Sequence, residues 1–397
     1  MQCLLLGGAG FIGSRLALRL LNNGHAVRIL DIFDPQIHGD DLAASELWEI
    51  KSDQVKISVG DARDSIAVGQ ALENIDTIFY LAAGTGTGQS MYQIKRYTET
   101  NVLGAAVLAE EIARRRSQIR RVIISSSRAV YGEGCYLCSE HGRVFPPSRN
   151  PADLEAGQFN PRCPICAGPL TETSSKESDH VQPGSIYGIT KFAQEQIMLN
   201  TCHALGIAAM ALRYQNVYGA GQSLKNPYTG ILSLFSQLLL QDRPINVFED
   251  GLATRDFVFV DDVTEFNCRA AESSLLGCHI LNVGTAARQT LLDVVLALSA
   301  AFQRPAAYSV SGQFRIGDIR HAAADTAMLF QTLGQHTFVS FQEGINRFAA
   351  WVLQQDLEAD ANSRYLKSLE EMAGMGILRG AKATRAQQIQ TPWLEKK

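Results

Sequence analysis

The sequence lacks any long apolar run, and this absence restricts where the protein can act. No stretch approaches the roughly 20 consecutive apolar residues that a membrane-spanning helix needs. The N-terminus also lacks a basic region ahead of its first apolar residues, which a secretory signal would show. For this chain of 397 residues we therefore expect a cytoplasmic location and no membrane partner.

The chain also lacks a strong excess of charge and a secreted disulfide framework. Its formal net charge is −4, so no broad basic field favours nucleic acid, and a small soluble partner is expected. Of its 8 cysteines, half are scattered singly and half form two CxxC pairs, "CYLC" and "CPIC". In a long chain without a signal segment this pattern favours reduced thiols and a metal.

The N-terminal segment has the pattern of a dinucleotide-binding βαβ unit. A short apolar strand, the turn "GGAGFIG", an amphipathic helix and a second strand run up to Asp31. Gly7, Gly10 and Gly13 permit a sharp turn, close approach to a pyrophosphate, and tight packing of helix on strand. Asp31 lies where an acid accepts the ribose hydroxyls, and residues 32–34 contain no arginine for a 2′-phosphate, so NAD is preferred over NADP. An ordinary tight βα turn is the alternative.

Strands and helices continue to alternate beyond this unit. The segments "VKISVGDARD", "IDTIFYLAA" and "RRVIISSS" predict a third, fourth and fifth strand. Asp61 and Ala62 follow the third strand, and Leu81, Ala82 and Ala83 end the fourth. This order predicts an α/β fold: a Rossmann-like doubly wound parallel sheet that binds ligands beyond the carboxyl ends of its strands.

Seven motifs, taken together and in order, carry a family resemblance. They are "GGAGFIGS", "GDARD", "YLAA", "ISSSRAVYG", "YGITK", "RYQNVYG" and "RDFVFVDDV". The chain resembles the extended short-chain dehydrogenases/reductases, in the group of NAD-dependent nucleotide-sugar epimerases and dehydratases. The resemblance covers about residues 1–350 and implies a nucleotide-diphosphate sugar as substrate.

The resemblance implies a catalytic set of Ser127, Tyr187 and Lys191. Tyr187 would take the proton from a sugar hydroxyl while hydride leaves the same carbon, although an unperturbed phenol has a pKa of about 10. Lys191, one helical turn later, and the cationic nicotinamide would favour the phenolate, and a shift of about three pKa units corresponds to about 4 kcal/mol. Ser127 would bind the substrate by hydrogen-bonding the reacting oxygen.

The NAD contacts that the resemblance implies are Gly7, Gly10, Phe11, Ile12, Gly13, Asp31, Asp61, Ala62, Leu81, Ala82, Ala83, Asn101, Ser125, Tyr187 and Lys191.

The two residues after Ser127 narrow the reaction. Dehydratases of the group have an acidic pair there, whereas this chain has Arg128 and Ala129. The family chemistry that remains is oxidation at a sugar C4, rotation of the 4-keto intermediate and return of hydride to its other face, which is 4-epimerisation. The alternatives are net oxidation, reduction or decarboxylation of a nucleotide sugar, and a non-catalytic NAD-sensing module.

The implied contacts to the substrate diphosphate are Asn216, Arg255 and Arg315. They stand in "RYQNVYG", "ATRDFVFVDDV" and "FRIGDIRH". A planar guanidinium suits this task because it can bond two phosphate oxygens while neutralising charge. For Arg255 the alternative is a salt bridge to Asp256 or Asp262.

Within the group, the CxxC insertion and "QNVYGAGQSLKNPYTGILSLF" most resemble dTDP-L-rhamnose 4-epimerases, enzymes of polysaccharide biosynthesis. Epimerases of the UDP-glucose/UDP-galactose type are the alternative. The segment "AAGTGTGQS" is unusually glycine-rich where the family commonly places a bulkier side chain near the sugar. We therefore expect an enlarged sugar pocket.

The insertion, about residues 133–182, is rich in proline and glycine and has too little apolar surface for its own core. Thiolates of Cys135, Cys138, Cys163 and Cys166 would complete a tetrahedral zinc site of the closed, structural kind, with His141 as the substitute ligand nearby. A disulfide, free thiols or a nucleic-acid-binding ribbon are the alternatives. The last is disfavoured because the insertion has few lysines and arginines.

The insertion connects the strand of Ser127 to the helix of Tyr187, so its ends emerge beside the active site. We expect the zinc lobe to brace or partly cover the sugar pocket. A remote decoration or a dimer contact is the alternative.

The predicted organisation is an NAD-binding domain over residues 1–215, mainly a substrate-binding lobe over 216–355, and a C-terminal helix and tail over 356–397. The last part lies outside the resemblance and has no assigned function. The resemblance also implies a homodimer, formed by the helix in "YTETNVLGAAVLAEEIARRR" and the helix that follows Tyr187.

Overall fold

The structure is a computed structural model that describes residues 1–39, 55–228, 230–356, 361–380 and 387–388. The predicted tail lies outside the described residues, apart from the last of these ranges. No helix in the described part of the chain is long and apolar enough to cross a membrane.

The N-terminal part alternates strands and helices in the predicted order. Its strands are β1 (Gln2–Leu6), β2 (Ala26–Asp31), β3 (Val55–Val59), β4 (Thr77–Tyr80) and β5 (Arg121–Ser127). Its helices are α1 (Phe11–Asn22), α2 (Pro35–His38), α3 (Ser65–Ala71), α4 (Thr87–Ser90), α5 (Ile94–Tyr97) and α6 (Gly104–Arg114), with a π-helical turn at Thr98–Leu103 and a 3₁₀ turn at Arg128–Tyr131.

The insertion follows, and the chain then returns to the sheet. The insertion contains β6 (Tyr136–Cys138), β7 (Gly142–Val144), α7 (Pro151–Glu155) and β8 (Thr171–Glu172). The remaining elements are α8 (Ile186–Leu205), β9 (Ala208–Tyr214), β10 (Asn216–Tyr218), α9 (Ile231–Leu240), β11 (Ile245–Val247), β12 (Thr254–Arg255), β13 (Phe257–Phe259), α10 (Val260–Glu272), β14 (Cys278–Val283), β15 (Gln289–Thr290), α11 (Leu291–Phe302), β16 (Tyr308–Val310), β17 (Gln313–Arg315), α12 (Ala327–Leu333), α13 (Phe341–Val352), α14 (Ala361–Gly374), β18 (Leu378–Gly380) and β19 (Gln387–Gln388).

One parallel sheet organises the molecule. Its 7 strands stand in the order β14-β9-β5-β4-β1-β2-β3, and all neighbours are parallel. The direction of winding reverses between β1 and β4, so the crevice for a ligand opens at their carboxyl ends. The predicted Rossmann-like α/β fold is confirmed. The edge strand β14 comes from the range predicted mainly as the lobe, because the chain returns to the sheet after α10.

The sheet is buried on both faces, as its apolar strands require. In β1, Cys3 and Leu5 belong to one apolar cluster, whereas Leu4 and Leu6 belong to the cluster on the other face. This division follows from the alternation of side chains along a strand. A third apolar cluster, which includes Phe235, is formed by elements of the C-terminal half of the chain outside the 7-stranded sheet.

Candidate active site

The glycine-rich turn after β1 forms a cradle without side chains. Gly7 has a φ of +82°, and a Cβ there would lie 2.5 Å from the amide nitrogen of Ala82. A Cβ on Gly13 would lie 2.6 Å from the Cα of Gly8. Gly10 caps α1 without any side-chain hydrogen bond, so the first-turn amides of the helix remain available to an anion. The predicted glycines therefore fit the pyrophosphate of NAD.

Two acids follow neighbouring strands beside this cradle. The carboxylate of Asp31 accepts hydrogen bonds from the backbone nitrogens of Ala9 and Phe33, both at 2.9 Å. These bonds hold it at the end of β2, where the sequence places the ribose contact. Asp61 is bound by the Arg63 guanidinium, at 2.5 Å for the shortest contact, and this bond lowers the pKa of the Asp61 carboxyl.

Side chains from two helices hold the loop after β4. The side-chain oxygen of Asn101 accepts from the Gly84 nitrogen at 2.7 Å, and its amide donates to Thr190 Oγ1 at 2.9 Å. Gln194 of α8 donates to the carbonyl oxygen of Ala82 at 3.2 Å. The structure thus brings the predicted cofactor residues after β4 next to the helix that contains the predicted catalytic pair.

Helix α8 begins with the two predicted catalytic residues Tyr187 and Lys191. Ser185 caps it by accepting from the Gly188 nitrogen at 3.1 Å, which places Tyr187 in the first turn and Lys191 one turn later. The backbone nitrogen of Tyr187 donates to Ser90 Oγ at 3.0 Å. Ser127 ends the neighbouring strand β5, and its side chain is buried.

The electrostatic surroundings of the two α8 residues differ. Burial raises the pKa of Tyr187, while a hydrogen bond with Ser127 and the charge of Arg128 lower it. Lys191 donates to the carbonyl oxygen of Ser125 and to Gln194 Oε1, and burial lowers its pKa to about 7. The phenolate form of Tyr187 therefore depends on nearby donors and cations.

Arg128 is a member of the site whose position the sequence did not predict. Its Nε donates to Asn216 Oδ1 at 3.2 Å, and no carboxylate in the described part of the chain lies within 4.0 Å of it. Burial and the charge of Arg255 lower its pKa to about 10. The only sequence signal was the replacement of the acid found in dehydratases.

A single carboxylate lies among several arginines at the other side of the pocket. Asp318 pairs with Arg255 at 3.0 Å and with Arg315 at 3.1 Å. Burial opposes the charge, yet the pKa of Asp318 lies well below its usual range because Arg315, Arg255, Arg149 and Arg128 surround it. Arg149 is also paired with Glu133 and Glu249, but Arg128, Arg255 and Arg315 still outnumber Asp318, so this group could bind an anion and is called the anion-binding region below.

The two predicted diphosphate arginines share Asp318 but differ in their other hydrogen bonds. Arg255 pairs with Asp318 rather than with Asp256 or Asp262, and its guanidinium also donates to backbone carbonyl oxygens. The Nε atom of Arg315 is buried, and no described atom accepts its hydrogen bond. Arg315 therefore retains a free donor for a ligand.

The insertion brings a compact group of possible metal ligands together. The ligand atoms of Cys138, His141, Cys163 and Cys166 all lie within 4.8 Å of one another. The Ala167 nitrogen bonds the Cys163 carbonyl oxygen at 2.9 Å, which closes the turn of the second CxxC pair.

Cys135, predicted as a ligand, does not belong to this group, and His141 occupies its place. The first CxxC pair is not a turn, because Tyr136–Cys138 forms strand β6. Cys135 immediately precedes this strand, so the two cysteines do not have the geometry of a CxxC turn. The Cys135 thiol instead lies 3.7 Å from the Tyr136 carbonyl oxygen.

Buried ion pairs connect the insertion to the anion-binding region. Arg149 pairs with Glu133 and with Glu249, both at 2.9 Å, and Arg320 pairs with Glu249 at 3.0 Å. Arg149 also donates to the carbonyl oxygen of Asp318 at 3.0 Å. The insertion is therefore in direct contact with the residues around Arg255.

Comparison with known proteins identifies relatives along most of the chain. Residues 3–154 and 156–284 match the NAD dependent epimerase/dehydratase family. The chain is 34% identical to a dTDP-L-rhamnose 4-epimerase of Burkholderia thailandensis, over 89% of this chain and 95% of that protein. It is 30% identical to a UDP-glucose 4-epimerase of Mycolicibacterium smegmatis, over 87% and 96% of the respective chains.

A solved structure has the same fold. MoeE5 in complex with UDP-glucuronic acid and NAD superposes with a TM-score of 0.70 at 27% identity, covering 89% of this chain and 99% of MoeE5.

Proposed function

The chain belongs to the NAD dependent epimerase/dehydratase family, and we propose that it interconverts dTDP-L-rhamnose and dTDP-6-deoxy-L-talose by epimerisation at C4. It is an NAD-dependent nucleotide-sugar 4-epimerase, and the proposal concerns its substrate. The observation that supports this substrate is the similarity to a dTDP-L-rhamnose 4-epimerase over 95% of that protein. The proposed catalytic side chains are those of Ser127, Tyr187 and Lys191. Arg128 occupies the position at which dehydratases of the family have an acid.

The residues around Tyr187 move and hold one proton. NAD held in the cradle would supply the hydride acceptor and donor for the sugar C4. Tyr187 Oη takes the proton of the C4 hydroxyl during oxidation and returns it during reduction. Ser127 orients the same oxygen, and the charge of Arg128 stabilises the phenolate. The family resemblance assigns the same task to Lys191 in its protonated form. If the 4-keto sugar rotates in the pocket between oxidation and reduction, hydride returns to the opposite face of C4.

The NAD site combines the cradle and the two acids. The amides after Gly7 and Gly10 would face the pyrophosphate, and Asp31 would accept the ribose hydroxyls. Of the other predicted contacts, Asp61, Ala62 and residues 81–83 follow β3 and β4, and Ser125 belongs to β5. Asn101 lies in the π-helical turn, and Tyr187 and Lys191 lie in the first turns of α8.

The substrate diphosphate would lie among the arginines near Asp318. Arg255 and Arg315 supply planar donors, and the free Nε of Arg315 supports a role in binding. Asn216 would contact the same group, and its bond to Arg128 extends the site toward Tyr187.

We assign the insertion a structural zinc ion held by Cys138, His141, Cys163 and Cys166. In a tetrahedral site with bonds of about 2.3 Å to sulfur and 2.0 Å to nitrogen, ligand atoms lie about 3.5–3.8 Å apart. The Cys138–His141, Cys138–Cys166 and Cys163–His141 distances are 3.5, 3.7 and 3.8 Å. Three thiolates and one imidazole leave no open position, so the metal would stabilise the lobe rather than act on the sugar.

The protein would act as a homodimer through α6, the preceding π-helical turn and α8. Leu103 and Ile189 on these elements are exposed at 47% and 49%, which would be covered in a four-helix interface. Sedimentation of the wild type and of Leu103→Glu tests this, since a monomeric wild type would contradict it.

The substrate assignment is tested by NMR of the purified protein with dTDP-, UDP- and GDP-sugars at catalytic NAD. We expect a C4 epimer of dTDP-L-rhamnose from the wild type and none from Tyr187→Phe, which retains the ring but cannot transfer the proton. If the protein epimerised a UDP-sugar in preference to dTDP-L-rhamnose, the proposed substrate would be wrong and the UDP-sugar would take its place. Stoichiometric consumption of NAD would instead indicate net oxidation.

A further inference from the structure

The C-terminal segment, residues 361–380, lies against the active site although it is outside the family resemblance. Its strand β18 pairs antiparallel with β17, so that Leu378 lies opposite Arg315. The Ile316 nitrogen also donates to the Ile377 carbonyl oxygen at 2.9 Å. The segment is thus fixed to the strand that contains a proposed diphosphate ligand.

A carboxylate of this segment joins two loops of the site. Glu371 Oε2 accepts hydrogen bonds from the hydroxyls of Tyr92 at 3.0 Å and Tyr228 at 2.7 Å. Tyr92 follows the glycine-rich segment after β4, and Tyr228 lies in the loop that follows Asn216. Glu371 therefore holds the loops on either side of the pocket at one point.

The neighbouring residue fills the space that the glycine-rich segment leaves. Met372 is buried, and a Cβ added at Gly88 would lie 2.8 Å from its sulfur and 3.7 Å from Arg315 Cδ. The sequence suggests a pocket enlarged by missing side chains at this segment. The structure differs, because a side chain from the end of the chain occupies the volume next to Gly88.

This contact is close to the reacting groups. Gly88 and Ser90 share the short helix α4, and Ser90 Oγ accepts the hydrogen bond of the Tyr187 nitrogen at 3.0 Å. Residues that pack against α4 therefore influence the position of Tyr187 at the start of α8 as well as the shape of the pocket.

We propose that the buried face of residues 361–380 forms one wall of the nucleotide-sugar site and that Met372 on this face sets the size of the sugar pocket in place of a side chain at Gly88. The inference rests on the proposed function, since it assumes a nucleotide sugar in this pocket. Met372 acts as a specificity-determining residue, and Glu371 positions the loops around it.

The test compares Met372→Ala with Met375→Ala, whose side chain on the same segment is 64% exposed. We expect Met372→Ala to raise kcat/KM for dTDP-L-mannose, which adds only a C6 hydroxyl, relative to dTDP-L-rhamnose by about 10-fold, the effect of a small change in pocket volume. Met375→Ala should leave the ratio unchanged. The exchange variant Gly88→Leu with Met372→Ala should move the ratio back toward the wild type. Equal ratios in both single variants, with normal NAD content and thermal stability, would overturn the proposal.

A second measurement does not require turnover. Deuterium exchange of the NAD-bound Tyr187→Phe protein is compared with and without dTDP-L-rhamnose, and with dTDP as a second probe. Protection of residues 361–380 by the nucleotide sugar supports the wall even if no epimer forms, in which case only the proposed reaction fails. Protection of the cofactor cradle and of Arg255 without any change in 361–380 would overturn the wall alone.

Discussion

The sulfur atoms of Cys138 and Cys166 lie 3.7 Å apart, and both belong to the group that includes His141. This distance is close to the ligand spacing of a tetrahedral zinc site. Cys138 belongs to a strand and to the first CxxC pair, whereas Cys166 belongs to the turn of the second pair, so the two pairs meet here.

The cysteines of the first pair should therefore differ in metal analysis. We expect Cys138→Ser and His141→Ala to lose most of the bound zinc, because each removes one of four ligands. Cys135→Ser should retain it, since that thiol lies outside the group. Elemental analysis after dialysis checks this. A protein in which Cys135→Ser loses zinc and His141→Ala retains it would restore the ligand set expected from the sequence.

Removal of Arg128 should slow the chemical step. We expect Arg128→Met to lower kcat by about 10- to 100-fold, equivalent to about 1.4–2.8 kcal/mol, because the Tyr187 phenolate loses a cation. The acidic limb of the kcat–pH profile should move to higher pH, since the pKa of Tyr187 rises. Arg120→Met, at an exposed position just before β5, is the control. A lower kcat with an unshifted profile would assign Arg128 a purely structural role.

Lys191 should make the stability of the protein depend on pH. Its pKa is about 7 in the folded protein against 10.5 ordinarily, so between these values the unfolded chain binds the additional proton. The free energy of unfolding of the wild type should thus rise with pH relative to Lys191→Met, by at most about 1.4 kcal/mol per unit. Urea unfolding from pH 7.5 to 9.5 without added NAD measures this. Lys95→Met, with a side chain 88% exposed, should show no such trend, and parallel curves for both variants would contradict the effect.

The buried arginine of the insertion should be important for stability. We expect Arg149→Met to lower the free energy of unfolding by about 3–5 kcal/mol, because Glu133 and Glu249 would lose a charged partner in a buried site. Arg347→Met removes a surface pair whose arginine side chain is 50% exposed, and it should cost less than about 1 kcal/mol. Equal unfolding midpoints for the two variants would show that the insertion does not brace the substrate side.

Local spacing in the sequence determined the fold class, whereas the catalytic set came from the family resemblance. The glycines of the first turn, the acid at the end of β2 and the alternation of apolar strands predict a doubly wound sheet, since each signal is contained within one βα unit. Tyr187 and Lys191 are one helical turn apart, so their proximity also follows from sequence. The role of these residues remains a prediction, although the structure places them together beside Ser127.

Only the tertiary structure decided which distant residues meet. Cys135 lies just before strand β6 and outside the metal-ligand group, and a CxxC spacing alone does not distinguish a strand from a turn. Packing likewise brings Met372 to Gly88, while spacing within either segment indicates nothing about the other. Sequence patterns reflect backbone periodicity over a few residues, whereas these contacts depend on how whole elements pack. The catalytic chemistry was therefore predictable from the sequence, and the walls of the pocket were not.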